Sequence, residues 1–191
     1  MDPKKTSREQ TMAQELKPGT WNIDATHSIV GFSVRHMMVS KVRGRFEKFD
    51  ATLTVPEDPT RSSIEATIDS GSINTDNSDR DTHIRSADFF SVEEYPQFTF
   101  RSTGLEAKGE DFVLKGDLTI KGNTHPIELA LEFNGATVDP YGLDRAGFAA
   151  TTQISRKEFG VDIETPMDSG GVVVGDRITI QIDAEFTRQD G

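Results

Sequence analysis

From Trp21 to Phe186 apolar residues return at every second position over most of the chain, and such a pattern is buried only by β-strands with one covered face. Val30, Phe32 and Val34 alternate with Gly31, Ser33 and Arg35, and Ile64, Ala66 and Ile68 alternate with Glu65, Thr67 and Asp69. The alternation runs on through Phe98 and Phe100, then Phe112, Leu114, Gly116, Leu118 and Ile120, then Ile127, Leu129, Leu131 and Phe133. It resumes at Ala146, Phe148, Ala150 and Ile154, and it closes with Val172, Val174, Ile178, Ile180, Ile182, Ala184 and Phe186. Turn signals at Lys108-Gly109-Glu110, Lys121-Gly122-Asn123 and Asp139-Pro140-Tyr141-Gly142 join consecutive runs. Long strands joined by short turns predict an all-β fold, an extended antiparallel up-and-down β-barrel of about eight strands, because closure removes the exposed edges.

Two places break the pattern. Phe46 lies on even parity, whereas Phe49, Ala51, Leu53 and Val55 lie on odd parity, so a β-bulge near Glu47-Lys48 is needed to keep them on one face. The second break is Asp81 to Phe90, where Ile84, Ala87 and then Phe89 or Phe90 fall at helical spacing behind the polar run Thr75–Arg80, which holds several capping residues. It predicts one short helix near residues 77–87 covering one end of the barrel and delivering the rings of Phe89 and Phe90. Residues 1–18 are polar and read as a disordered N-terminal arm, 19–187 as a single barrel domain, and 188–191 as a C-terminal tail.

Whether such a barrel is filled or hollow turns on its small inward residues, Ala51, Ala66, Gly116, Ala146, Ala150 and Ala184. They fit either the taper of a packed interior or a space left for a ligand. In the hollow reading an elongated apolar pore is lined by Val30, Phe32, Val34, Phe46, Leu53, Ile64, Ile68, Phe89, Phe90, Phe98, Phe100, Leu114, Leu118, Leu129, Leu131 and Phe148. A long narrow pore of that kind suits a long-chain lipid better than a compact ring. His36, Arg85 and Arg156 are candidate head-group contacts, and both arginines read equally as solvated rim residues.

Other chemistry is poorly supported. The net charge is −11 across 191 residues, which argues against nucleic acid and gives no electrostatic help toward anionic membranes. There are no cysteines, hence no disulfide, thiolate metal site or cysteine nucleophile. His27, His36, His83 and His125 lie far apart without metal-ligand spacing, so no metal is expected. No apolar run is long enough for a membrane-spanning helix, so no integral membrane association is expected, and the N-terminus lacks a secretory h-region, which reads as a cytoplasmic chain.

Specific strings bring these pieces together. Trp21-x-Ile23-Asp24-x-x-His27-Ser28 leads into Val30-x-Phe32-x-Val34-x-His36 and Gly44-x-Phe46. Arg80-Asp81-x-His83-Ile84-Arg85-Ser86-x-Asp88-Phe89-Phe90 is followed by Tyr95-Pro96-x-Phe98-x-Phe100. Gly116-Asp117-Leu118-Thr119-Ile120-Lys121-Gly122 and Arg156-x-x-Phe159-Gly160 complete the set. The chain resembles the YceI-like polyisoprenoid-binding family over about Gly19 to Thr187. The resemblance implies a lipocalin-like barrel whose pore holds a polyisoprenoid or similar long-chain lipid, as a carrier or storage protein and a homodimer. It supplies no catalytic residues and no cofactor beyond the bound lipid, and many members are periplasmic. Two rivals stand beside it: an enzyme acting on an isoprenoid or quinone with His36, His83 or Asp81 as acid–base groups, and a stress-related scaffold with no ligand.

Overall fold

Each period-two run becomes a strand in the computed structural model, which describes residues 8–164 and 173–189. In chain order the strands are β1 (Gly19–Ile23), β2 (Ile29–His36), β3 (Ser40–Phe46), β4 (Phe49–Val55), β5 (Ser63–Asp69), β6 (Ile73–Asn74), β7 (Gln97–Lys108), β8 (Asp111–Ile120), β9 (Asn123–Val138), β10 (Asp144–Ser155) and β11 (Val174–Arg188). Two helices, α1 (Arg8–Glu15) and α2 (Ser78–Arg85), lie outside the sheet. All strands belong to one sheet in the order β1-β4-β5-β7-β8-β9-β10-β11-β2-β3-β6, and a β1–β11 pairing closes it. β1 with β2 and β3 with β4 each form one bent stave, so the wall is a closed antiparallel barrel of eight staves. Val172 and the turn signal from Pro166 to Gly171 lie outside the described residues.

The bends have local causes. Between β1 and β2 the Asp24 carboxylate accepts from the Thr26 N–H and caps a single 3-10 turn, Ala25–His27. Between β3 and β4, Glu47 and Lys48 leave the ladder and donate their N–H groups to the Ser72 carbonyl and Ser72 Oγ, at 3.1 and 3.0 Å. The parity break is therefore a two-residue interruption between β3 and β4 in place of the expected single-residue bulge, and as expected both Phe46 and Phe49 line the interior.

The barrel ends close differently. At one end Met12 and Leu16 are 1% and 3% exposed and join Trp21, Phe112, Phe133, Ala146 and Phe186 in a sealed core. Trp21 Nε1 donates to the Lys17 carbonyl (3.0 Å), and Glu15 Oε2 accepts from the Ala136 N–H (3.0 Å), so α1 is held on both sides. The reading of residues 1–18 as a disordered arm therefore fails from Arg8 onward. The helix has few apolar residues, and burying Met12 and Leu16, four apart, is enough to dock it. The supposed tail also begins too early, since Arg188 ends β11 and its Nε donates to the Pro18 carbonyl (2.8 Å). At the other end lies α2, capped by Asn77 Oδ1 accepting from the Arg80 N–H (3.0 Å), close to where the sequence placed a helix. No helix among the described residues is long and apolar enough to cross a membrane.

Outside the wall, Arg145 on β10 ties the β1–β2 bend to the β9–β10 turn through Asp24 (2.9 Å) and Asp139 (2.8 Å). The His27 hydrogen bond and then Arg145 hold the Asp24 carboxyl well down, at about 2.

Two outcomes follow from this architecture. Met12→Ala is expected to cost about 2–5 kcal/mol in urea unfolding, the range for deleting a fully buried large side chain. Asp24 has its pKa lowered from 3.8 to about 2, so it contributes stability that is complete above pH 3.8 and lost as pH falls toward 2. Asp24→Asn is expected to lower stability near neutrality and to flatten the loss between those two pH values, measured by unfolding across an acid series.

Candidate functional site

The barrel encloses a cavity of about 480 Å³ with an almost wholly apolar wall, inside the range of small-molecule sites. Every residue named for the expected pore lines it except Leu53. Leu53 pairs across from Trp21 and packs into the sealed core under α1 instead. Parity alone assigned it to the interior, and parity does not tell how far along the barrel the interior is filled. Ile23, Phe49, Ile178, Ile180 and Ile182 also line the cavity and carried the same period-two signal.

The small inward residues divide between the two readings. Ala51, Ala66, Ala150 and Ala184 line the cavity and make room in it. Ala146 is 1% exposed within the sealed core. Gly116 makes no room, because the Phe100 ring lies over it where a Cβ would collide. Gly44 does the same for Phe32, whose Cζ would sit 2.5 Å from a Cβ there. These ring-over-glycine contacts let large aromatics lie against the wall instead of crossing the pore.

Toward α2 the wall becomes aromatic. Phe46 is the hub, with ring centroids 5.6 Å from Phe98, 5.8 Å from Phe32 and 6.2 Å from Phe90. Phe90 meets Phe98 edge-on at 5.1 Å, and Phe89 packs edge-on against His83 at 5.0 Å. Both rings of the Phe89-Phe90 pair therefore reach the cavity, carried by the turn after α2 and not by the helix itself.

Polar groups gather at this same end. Arg80, His83, His36 and Arg156 all contribute to the lining. Thr75 organises the first of them: its hydroxyl donates to buried Asp81 Oδ1 (2.5 Å) and accepts from Arg80 Nε (2.8 Å). Asp81 Oδ1 accepts from the Thr75 N–H too, so its carboxylate clamps the loop before α2 and is not placed as a free base. His83 Nε2 lies 3.0 Å from Asp88 Oδ2.

Arg156 is not the solvated rim residue its sequence position suggests. It is 5% exposed, and its guanidinium donates to the carbonyls of Gly175, Val174, Val161 and Ile163 at 2.8–3.0 Å. No carboxylate among the described residues lies within ion-pair distance of it, so backbone dipoles satisfy it and it pins Val161–Ile163 to the start of β11. Arg85 is also corrected as a head-group candidate. Its Nε and Nη2 are committed to the carbonyls of Gly71 and Ile73 (2.8 and 3.2 Å), and it does not reach the cavity. Arg80, which the sequence reading passed over, reaches it.

Asp24, His27 and Glu185 form the one grouping with metal-ligand proximity among the described residues. Its Asp24 oxygen already holds both His27 and Arg145, so hydrogen bonds and ion pairing account for the cluster.

Comparison with known proteins agrees with this geometry. A UPF0312 protein of Staphylococcus epidermidis is 38% identical over 169 residues, covering 87% of this chain and 96% of its own. Protein YceI of Escherichia coli is 39% identical over 139 residues, covering 72% of this chain and 73% of its own. Among solved structures, Burkholderia cenocepacia BcnA superposes with a TM-score of 0.73 at 24% identity, covering 85% of this chain and 98% of its own. A polyisoprenoid binding domain from Saccharophagus degradans superposes with a TM-score of 0.69 at 16% identity, covering 88% of this chain and 98% of its own. The YceI-like domain family matches residues 21–186, almost the whole of the barrel, and the chain belongs to that family.

Proposed function

We propose that the barrel binds a long-chain isoprenoid or similar amphipathic lipid and serves as its carrier or store. The cavity carries the reading: it runs inside a closed barrel, is walled by aliphatic and aromatic side chains, and is sealed at the α1 end. Each 100 Å² of hydrocarbon transferred into it contributes about 2.5 kcal/mol before the cost of ordering the chain is subtracted. The apolar tail lies toward Phe148 and Leu131, and the polar end lies at the α2 end near Arg80, His83 and His36. Arg80 is the best placed cation for a head group, since it lines the cavity and Thr75 takes only its Nε and Nη2, while Arg156 spends Nε, Nη1 and Nη2 on carbonyls. The Saccharophagus degradans domain supports the ligand class, because a barrel of this fold is described there as polyisoprenoid binding.

Native mass spectrometry of protein purified without detergent, followed by organic extraction, tests the proposal. A co-purifying chain lipid, displaceable by a fluorescent prenyl-chain probe, is the expected result; failure to take up any long-chain probe would overturn it. Ala150→Trp places a large ring where Ala150 faces the cavity opposite Leu131 and is expected to weaken probe binding at least about tenfold, with a native far-ultraviolet spectrum. Arg80→Met is expected to weaken anionic prenyl probes about three- to tenfold and to leave an uncharged prenyl alcohol nearly unchanged.

A further inference from the structure

The β2–β3 hairpin carries three consecutive exposed apolar residues at its tip. Met37, Met38 and Val39 are 47%, 50% and 86% exposed. Met37 and Met38 both take left-handed backbone angles, φ 50° and 64°, where asparagine and glycine are the unstrained choices. A tip that needed only to turn the chain would gain stability from those residues, so Met-Met-Val at this tip costs folding stability. Single exposed hydrophobes need no explanation, but three adjacent ones on a strained projection do.

The strands behind the tip carry a second anomaly. Between Arg35 and Arg45 there is no acidic residue, in a chain whose net charge is −11. Arg35 sits directly opposite Lys41 in the β2–β3 register, a like-charge cross-strand pair that destabilises a sheet. Arg43 lies one pair further along on the same exposed face, and Arg177 is exposed near the start of the adjoining β11. Arg45 is neutralised by Glu47 and Asp76, whereas Arg35, Lys41 and Arg43 pair with no carboxylate among the described residues.

The tip also belongs to the cavity end. His36, one residue before it, lines the cavity, and the Met37 N–H donates to the carbonyl of Val173, another lining residue (2.7 Å).

We infer that this hairpin is a docking device for anionic membrane surfaces, inserting Met37, Met38 and Val39 among the lipids while Arg35, Lys41 and Arg43 meet their phosphates. An apolar point within a cationic collar complements a bilayer interface, which offers hydrocarbon beneath negative charge. A nucleic acid offers the charge alone. The acidic remainder of the barrel is repelled by the same surface, so attachment is oriented with the cavity end toward the lipid. The inference deepens the lipid-binding proposal by giving the route of loading, and it rests on that reading only for its purpose.

Co-sedimentation of the full chain with vesicles tests it. Wild type is expected to partition at least about tenfold better onto phosphatidylcholine vesicles holding about one-third phosphatidylglycerol than onto phosphatidylcholine alone, with the preference falling as salt is raised. Met38→Asp with Val39→Asp, and separately Lys41→Glu with Arg43→Glu, are each expected to remove most of that binding. Met37→Asn with Met38→Gly relieves the backbone and is expected to raise the melting temperature while weakening partition, which separates docking from misfolding. Equal partition onto neutral and anionic vesicles, binding unmoved by these substitutions, or self-association through the tip would each overturn the inference. All three hairpin variants are expected to keep prenyl-probe binding, and Ala150→Trp to lose the probe yet keep vesicle partition. Failure of one proposal is thereby distinguishable from failure of the other.

Discussion

An apolar cavity inside a protein is tolerated only where no backbone N–H or C=O faces it unpaired, since each such group costs far more than a side-chain contact returns. The pairing of β11 with both β1 and β2 goes most of the way toward that condition here, because it closes the sheet on itself. The inner face then presents mainly apolar side chains. Two of the breaks in the ladder are bridged by other hydrogen bonds: Ser72 accepts the N–H groups of Glu47 and Lys48, and Asp24 caps the turn between β1 and β2.

Within that wall, residue size decides where space remains. Near α1 the inward positions hold Trp21, Phe112, Phe133 and Phe186 together with the helix residues Met12 and Leu16, and the interior is packed. Further along, alanines at 51, 66, 150 and 184 alternate with aliphatic residues, and the cavity opens. Gly44 and Gly116 contribute in the opposite way, each accommodating an aromatic ring flat against its neighbour. The α2 end is built from polar clamps, Thr75 with Arg80 and Asp81, and Arg156 with four carbonyls, so one pole is apolar and the other is held by directional bonds.

The sequence made the barrel legible because period two is a property of neighbouring residues, and the parity break at Glu47-Lys48 marked where the wall bends between β3 and β4. The inner face was legible for the same reason, and every pore residue named from it except Leu53 lines the cavity. Depth along the barrel axis was not, and so Leu53 was assigned to the pore while it lies in the sealed core. The helix α1 was hidden because its burial depends on residues far away in the chain: Met12 and Leu16 look incidental until Trp21, Phe133 and Phe186 are brought to one place. Arginine roles were the least legible. Arg85 and Arg156 each spend their donors on carbonyls of distant loops, and nothing local distinguishes them from Arg80, which faces the cavity.

The sealed pole has one more consequence. The described chain enters through α1 at that pole and leaves from it, with the Gln189 N–H donating to the Thr20 carbonyl. A partner domain or linker joined to the described residues at Arg8 or Gln189 therefore meets the barrel on the side away from Phe90. Such a graft leaves the α2 side of the barrel facing outward from its support.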